Sequence, residues 1–320
     1  MKVSISQDLE MKRVAIFVHY DSHNYIQDYV VYYIKELLKV AAKIVFVSDC
    51  NLSETELLKI SPYVVNSIAY NHGEYDFGSY KRGYQWAKEN GLLDDCEELI
   101  FANDSCYAPL FPFEDMFFKM SPKEIDFWGA TANPKGIGIM DGKHFANDVE
   151  HVQSYFVVFK PNLFKSELFD NFINSIKKEK TKEEVIAYYE VGMTKLLAEN
   201  GFKWDVYCPL SKQISNSHVY AYKKLITENK SPFLKRNILL LKHIKQTIPL
   251  FPKRLISCTQ YDYELIKLDC KCNKLSINYF ATLKYWMKRW RRSVLRIHFK
   301  EQKGICLFGH WYCWGENNEE

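Results

Sequence analysis

Three stretches of the chain end an apolar run on small polar or charged residues that could bind a ligand. In "ELIFANDSCYAPL" the apolar segment Leu99–Ala102 is followed by the polar segment Asn103–Ser105. "KRVAIFVHYD" ends on His19–Asp21, and "AKIVFVSDC" reaches Ser48–Asp49. Such residues form turns, but polar residues at the carboxyl ends of strands in open α/β sheets also bind substrates.

The sequence around these stretches predicts alternating strands and helices. Apolar residues recur at helical spacing in "YIQDYVVYYIKELLKVA", and Ser53 and Glu56 form a capping pattern. "SYKRGYQWAKENG" predicts a helix from Ser79 that Gly91 closes. Strands alternating with helices indicate a parallel sheet with helices on both faces. The three polar strand ends then share one edge, which favours a ligand site over three separate turns.

The middle of the chain has a different pattern. A short strand is predicted at Ile125–Trp128, an exposed loop in the glycine-rich "KGIGIMDGKHFAND", and a strand in "HVQSYFVVFKP". "TKEEVIAYYEVGMTKLLAENGF" is helical, with a capping box at Thr181 and Glu184. Gly192 lies inside this helix and predicts a break or a new helix start near Glu190.

Composition excludes several classes of protein. The 320 residues are 47% hydrophobic and 26% charged, with a net charge of +4 that is too small to indicate nucleic-acid binding. The nine cysteines lack zinc-finger spacing, and Cys270 and Cys272 are too close for a C-x-x-C pair. Reduced thiols in a cytosolic protein are therefore expected. The N-terminus lacks the long apolar core of a signal peptide, and no window approaches the roughly 20 apolar residues of a spanning helix. A membrane-spanning segment is therefore not expected.

Seven motifs in register resemble the rhamnan synthesis F family of bacterial enzymes, which build rhamnose-containing surface polysaccharides. In order, they are "HYD", "YDFGSYKRG", "LIFANDSCYAPL", "DFWGAT", "HVQSYFVVF", "YEVGMTKLLAENGF" and "SPFLKRNIL". The resemblance covers roughly residues 12 to 242 and implies a GT-A-like glycosyltransferase. The expected fold is α/β: a Rossmann-type nucleotide-binding sheet fused to an acceptor-binding half, plus a C-terminal helical basic extension.

The resemblance implies a metal and nucleotide site at the third strand end. Asp104 matches the Asp-x-Asp motif whose carboxylates hold Mg²⁺ or Mn²⁺ against the diphosphate of the donor. Asn103 replaces the first carboxylate of that motif, so the resemblance leaves Asp104 as the one carboxylate ligand, with His218 as a late second ligand. A lone histidine is also commonly structural.

"EYDFGSYKRG" would lie beside the nucleotide in this family. Asp76 is expected to accept hydrogen bonds from base or ribose, Gly78 to allow close backbone approach, and Lys81 to meet phosphate. Asp21 is a similar nucleotide contact, whereas His19 is expected to be structural. A loop that caps the helix from Ser79 explains the same motif without a ligand.

Glu190 in "YEVGMTKLL" matches a family position at which a carboxylate at a helix start faces the acceptor. A helix N-terminus would keep this carboxylate ionised, so Glu190 is the predicted catalytic base of an inverting transfer. Asp126 and Glu114 are weaker alternatives, and a solvated helix glutamate is the ordinary role. Lys235 and Arg236 are expected beside the diphosphate, unless they form only a basic helix start.

The chain beyond the resemblance predicts a membrane contact. Domain bounds of 1–245 for the catalytic domain and 246–320 for the extension place the basic stretch "KYWMKRWRRSVLRIHFKEQK" in the extension. Trp286, Trp290 and Ile297 share a helical face, which suits an anionic membrane surface. A helix packed on the catalytic domain by its tryptophan face is the alternative.

The predicted function is transfer of a sugar, with dTDP-L-rhamnose favoured as the donor, to a growing surface polysaccharide. The expected partners are a nucleotide-sugar donor, a lipid-linked glycan acceptor and the inner face of the plasma membrane. A UDP-hexose donor is one alternative, and a non-catalytic glycan- or nucleotide-binding subunit is another, supported by the degenerate "NDS" motif. A hydrolase lacks support because the sequence has no nucleophile elbow and no paired-carboxylate motif.

Overall fold

A computed structural model describes residues 12–141, 143–209, 221–240, 256–272, 304–307 and 310–313. Its strands are β1 (Arg13–His19), β2 (Lys43–Ser48), β3 (Asn66–Ala69), β4 (Glu98–Asn103), β5 (Cys106–Tyr107), β6 (Phe127–Gly129), β7 (Ala132–Asn133), β8 (Gly136–Met140), β9 (Lys143–Asn147), β10 (His151–Val152), β11 (Phe156–Phe159), β12 (Trp204–Val206), β13 (Leu234–Lys235), β14 (Gly304–Leu307) and β15 (His310–Cys313).

The helices lie between these strands. They are α1 (Asp28–Leu37), α2 (Glu54–Leu58), α3 (Tyr75–Glu89), α4 (Phe113–Met120), α5 (Pro161–Phe164), α6 (Glu167–Ser175), α7 (Lys182–Val185), α8 (Gly192–Glu199), α9 (Tyr222–Thr227), α10 (Asn237–Leu240) and α11 (Tyr263–Cys272). A 3-10 turn covers Ser61–Tyr63, and a π-helical turn, Ile186–Val191, joins α7 to α8.

Among the described residues, seven strands form the central sheet in the order β12-β6-β11-β4-β1-β2-β3. The α/β class predicted from the sequence is confirmed. The expectation of a parallel sheet is only partly right, because β11 runs antiparallel to both β4 and β6. No helical crossover precedes β11, so the chain enters it from the opposite direction.

Alternate residues of the central strands enter two separate cores. Phe17 and Phe46 face the core that α1 and α4 cover, whereas Ile16 and Val47 face the core beneath α3 and α6. Covering both faces explains why these strands are nearly all apolar. At Gly83 the two layers are so close that a Cβ atom would lie 2.3 Å from the Ile16 side chain.

The predicted polar strand ends do lie together. His19 pairs with Ser48 across β1 and β2, and Val18 pairs with Asn103 across β1 and β4. Parallel strands of matching length therefore end at one edge. Because β2 and β4 lie on different sides of β1, this edge is also where the strand order reverses.

Two local predictions need correction, and a third is right in part. The helix predicted from Ser79 begins at Tyr75, whose φ of +58° turns the chain sharply into α3. The glycine-rich loop is a hairpin of β8 and β9, and its "DG" is a two-residue turn signal. The new helix start predicted near Glu190 is present, because α8 begins at Gly192, but a π-helical turn joins α8 to α7 and the chain does not leave the helical conformation there. The capping box at Thr181 is confirmed.

Residues 256–272 of the predicted extension pack against the core on one face of the central sheet. Ile256, Tyr261, Ile266 and Cys270 belong to the core that also contains α1. The rings of Tyr32 and Tyr261 meet edge to face at 5.1 Å. The domain bounds remain a prediction, and the basic stretch around Trp286 and Trp290 lies outside the described residues. No helix in the described ranges combines the length and hydrophobicity needed to cross a bilayer.

Candidate functional site

A cavity of about 880 Å³ opens at the carboxyl ends of β1 and β4. Open α/β sheets bind ligands at such a crevice, where the strand order reverses. The predicted site residues that line it are Asp76, Asn103, Asp104, Glu190, Lys235 and Arg236.

The lining consists of two groups of residues carried by different elements. The strand-end wall is formed by α3, by the end of β4 with the two residues that follow it, and by β13 with its following residue: Asp76, Asn103, Asp104, Ser105, Lys235 and Arg236. The helix wall is formed by the π-helical turn, by α7 with the segment before it, and by β10 with the residues that follow it: His151, Ser154, Lys178, Lys180, Lys182 and Glu190.

A chain of hydrogen bonds orders the strand-end wall. The amide of Asn103 donates to the Asp76 carboxylate at 2.8 Å, and its oxygen accepts from the Ser105 backbone N–H at 3.1 Å and from the Ser105 hydroxyl. The Lys235 ammonium donates to Ser105 Oγ at 2.6 Å. Pairing of β13 with β5 brings Lys235 to this position. Asn103, which stands at the first aspartate position of the motif, thus binds the carboxylate of Asp76.

Asp104 is 7% exposed and has few hydrogen bonds to its carboxylate. The backbone N–H of Tyr20 donates to Oδ2 at 3.3 Å, and His19 Nε2 lies 3.9 Å from the same atom. The Tyr29 hydroxyl donates to the backbone carbonyl of Asp104 at 3.1 Å, which fixes the main chain. The carboxylate therefore keeps acceptor capacity toward the cavity.

The charges of the two aspartates are poorly compensated. Burial, and to a lesser extent the neighbouring Asp104 charge, raise the pKa of Asp76 to about 6, although Lys235 and the Asn103 amide favour its ionised form. Burial also raises the pKa of Asp104 to about 6, although Arg236 and the Tyr20 N–H favour its ionised form. Burial lowers the pKa of His19 to about 4, so this ring is neutral at pH 7. Two such carboxylates favour binding of a cation.

The carboxylate of Glu190, unlike those of Asp76 and Asp104, has two partners that favour its ionised form more strongly than burial opposes it. The Ser154 hydroxyl donates to its Oε2, and His151 Nε2 lies 3.5 Å from Oε1. Burial raises the pKa of Glu190, but the His151 and Ser154 contacts outweigh burial and leave it below its usual range. The predicted cause of ionisation was wrong, since Glu190 lies in a π-helical turn inside a continuous helical segment rather than at a helix N-terminus.

The two basic groups of the cavity also differ. Arg236 binds the Asp269 carboxylate through Nε at 3.0 Å and Nη2 at 2.8 Å, and its guanidinium lies over the Tyr29 ring. Lys178, Lys180 and Lys182 are exposed, and within the described part of the chain their ammonium groups have no carboxylate within 4 Å. The Arg236 guanidinium is therefore fixed in position, whereas the three lysine side chains can change conformation to contact a ligand.

Three other predicted site residues that the structure describes, Asp21, Gly78 and Lys81, do not line the cavity. Lys81 donates to the backbone carbonyls of Asn174 and Ile176, so it connects α3 to α6. At Gly78 a Cβ atom would lie 2.3 Å from the side chain of Glu74, the residue that precedes α3. Asp21 accepts from the backbone N–H of His23 at 2.7 Å and orders the loop after β1. These bonds do not support the predicted nucleotide contacts.

Sequence reasoning missed several residues that build the site. His151 and Ser154 stand in the quoted motif "HVQSYFVVF", where polar residues interrupt a strand pattern, and this interruption was a usable signal. Asp269 had no such signal, because it contacts Arg236 from a helix outside the resemblance. Of the alternative bases, Asp126 accepts from the Asn162 amide and from the Lys203 N–H, and Asp126 and Glu114 do not line the cavity.

The structure describes one of the two predicted metal ligands, Asp104, and not the other. His218 lies outside the described residues. Within the described ranges, no group of three or more His, Cys, Asp or Glu could hold a metal ion. Asp76 and Asp104 nevertheless offer two oxygen ligands of raised pKa, and Mg²⁺ is commonly held by one or two carboxylates together with substrate phosphates. The donor set therefore fits a hard divalent cation.

Comparison with known proteins decides the family. A family model for rhamnan synthesis protein F matches residues 44–315. The chain belongs to the rhamnan synthesis protein F family. Membership supports a glycosyltransferase function for this family member in polysaccharide synthesis. No curated protein matches the chain.

Solved structures show distant similarity. A 4-diphosphocytidyl-2C-methyl-D-erythritol synthase from Anaerococcus prevotii shares 14% identity, with 63% of this chain and 89% of that chain covered and a TM-score of 0.38. Core-mannan synthase A from Aspergillus fumigatus, in an Mn/GDP form, shares 10% identity, with 61% and 72% covered and a TM-score of 0.34. Similarity at these scores carries no argument about function.

Proposed function

We propose that this family member transfers a sugar from a nucleotide-sugar donor to a growing surface polysaccharide, with inversion at the anomeric carbon. One observation carries the proposal: a single cavity joins two aspartates of raised pKa, two fixed cations and a separate ionised glutamate. These are the groups that glycosyl transfer requires, since the leaving diphosphate gains charge and the acceptor hydroxyl loses a proton.

The strand-end wall would bind the donor. Lys235 and Arg236 would offset the charge that develops on the nucleoside diphosphate as the bond between C1 and the phosphate oxygen breaks. Asp76 and Asp104 would hold Mg²⁺ or Mn²⁺, with His218 as a further proposed ligand. When bound, the ion would neutralise diphosphate charge as a Lewis acid.

The helix wall would bind the acceptor. The hydroxyl oxygen of the acceptor would form the new bond to C1 of the donor sugar, and the proton of that hydroxyl would pass to the Glu190 carboxylate. Ser154 and His151 would keep that carboxylate ionised and correctly oriented at neutral pH. Glu190 is thus a general base that is always available, and His151 and Ser154 are positioning residues.

The role of the family in rhamnan synthesis favours dTDP-L-rhamnose as the proposed donor, and we propose a lipid-linked glycan as the acceptor. A UDP-hexose donor is the alternative within the same reaction. Docking on the inner face of the bacterial plasma membrane through the stretch around Trp286 and Trp290 belongs to the same proposal, and these residues lie outside the described ranges.

A non-catalytic binding subunit is the second candidate, favoured by Asn103 at the first motif position. The bond from Asn103 to Asp76 weakens that argument, because Asp76 supplies a second carboxylate in the same cavity. Glu190 held ionised by two partners also has no evident use in a simple binding protein.

A panel of nucleotide sugars tests the proposal. Binding and donor hydrolysis would be measured for dTDP-L-rhamnose, UDP-glucose, UDP-galactose and GDP-mannose, with Mn²⁺ and with chelator. We expect one donor to be hydrolysed selectively and only with metal. Selective binding without hydrolysis or transfer in any condition would favour the binding subunit instead, and equal rates in chelator would contradict the metal role.

A further inference from the structure

A buried carboxylate behind the cavity fixes the orientation of Arg236. Asp269, on α11, accepts hydrogen bonds from Nε and Nη2 of Arg236 at 3.0 and 2.8 Å. The side chains of Asp269 and Arg236 are 2% and 15% exposed. Two parallel N–H···O bonds to one carboxylate fix the plane of a guanidinium as well as its position.

Two further contacts hold this pair in place. The Tyr107 hydroxyl donates to Asp269 Oδ2 at 2.6 Å, and the guanidinium stacks 4.6 Å from the Tyr29 ring centroid. The backbone N–H of Arg236 donates to the Ser105 carbonyl at 3.0 Å, next to Asp104. Backbone and side chain of Arg236 are thereby both tied to the strand-end wall.

The bonds to Asp269 use only one edge of the guanidinium. Among the described residues, no protein group accepts a hydrogen bond from Nη1 of Arg236, although Arg236 lines the cavity. An arginine fixed at one edge and open at the other can donate to an oxyanion without losing side-chain entropy on binding.

We infer that Asp269 is a positioning residue for the donor, which holds Arg236 so that its open edge binds the nucleoside diphosphate. The inference rests on the proposed function, and it makes α11 part of the donor site although α11 lies in the predicted extension. Loss of Asp269 should therefore weaken nucleotide binding only through Arg236.

Binding of dTDP in the presence of Mg²⁺, measured by calorimetry on the full chain, tests this coupling. We expect Asp269→Asn and Arg236→Gln each to weaken binding about tenfold, the usual scale for one charge-assisted bidentate contact. The double variant should bind dTDP no more weakly than Arg236→Gln alone. Glu264→Gln is the matched control, since it removes a carboxylate of the same helix that pairs with Lys267 and not with Arg236, and its affinity should be unchanged.

The outcomes separate the two levels of the proposal. If Arg236→Gln binds dTDP as the wild type does, the proposed donor site is wrong. If Arg236→Gln weakens binding but Asp269→Asn does not, or if the two losses multiply in the double variant, the donor site stands and the role of Asp269 is overturned. Should a single variant fail to fold, Asp269→Glu and Arg236→Lys, which retain both charges, replace it in the same comparison.

Discussion

The strand-end wall and the helix wall of the cavity treat their carboxylates in opposite ways. On the strand-end wall, burial raises the pKa of Asp76 and Asp104 to about 6, and their charges lack full compensation within the protein. On the helix wall, His151 and Ser154 more than offset the burial of Glu190. A wall with excess negative charge suits a cation, whereas a compensated carboxylate can stay ionised without one.

The largest expected effect breaks the strand-end wall. Asp104→Asn should reduce transfer at least about 10³-fold, because a ligand of the divalent cation is lost. The same change should stabilise the ligand-free fold at pH 7 by about 2 to 3 kcal/mol, the value of a two-unit pKa shift. Activity assays and denaturant unfolding would measure the two effects.

The sign of the stability effect follows from the raised pKa. The folded state binds the Asp104 proton more tightly than the unfolded state does, so ionisation costs stability as pH rises from about 4 to about 6. The difference between wild type and Asp104→Asn should therefore shrink to nothing below about pH 4. Asp95→Asn, at an exposed position, is the control, and an equal gain there would refute the explanation.

A smaller effect sharpens the comparison from the helix wall. Ser154→Ala removes a donor to Glu190, so the pKa of Glu190 should rise. The acid limb of the pH–rate profile should then move upward by about 1 pH unit. Activity at high pH should change little. Ser175→Ala, whose hydroxyl bonds within α6, should leave the profile in place, and an unmoved limb in Ser154→Ala would contradict the assignment of Glu190 as base.

The smallest effect concerns the free lysines of the helix wall. Replacing Lys178, Lys180 and Lys182 together by glutamine should raise the KM for an anionic substrate about threefold at low salt. The difference should disappear at about 1 M salt, because exposed charges are screened. Lys43→Gln, Lys195→Gln and Lys203→Gln together remove the same number of charges outside the cavity lining and provide the control. A loss that persists at high salt would mean that these lysines are as fixed as Arg236.

The shared strand edge was predictable because it needs only local patterns. Apolar runs that end on polar residues, separated by helices, place His19, Ser48 and Asn103 at one edge of any parallel sheet. The family resemblance then assigned Asp104 and Glu190 their roles. The antiparallel β11 was not predictable, since its apolar run suits either direction equally.

Other parts of the site depend on helix phase and distant packing. Asp76 and Lys81 were both assigned to the nucleotide, but five residues turn a helix by about 140° relative to its starting face, so one helix could not direct both toward one cavity. The π-helical turn around Glu190 leaves no trace in the hydrophobic spacing. Asp269 reaches Tyr107 across 162 positions of sequence, and no local pattern encodes that contact.

The central claim is that the two walls separate donor binding from proton transfer. The measurement that tests it is dTDP affinity beside turnover for Glu190→Gln and Asp104→Asn, with Glu183→Gln on the same helical segment as control. Glu190→Gln should keep wild-type affinity in the presence of Mn²⁺ and lose turnover about 10²- to 10⁴-fold, whereas Asp104→Asn should lose both. Wild-type turnover in Glu190→Gln, or an equal loss of dTDP affinity in both variants, would contradict the account.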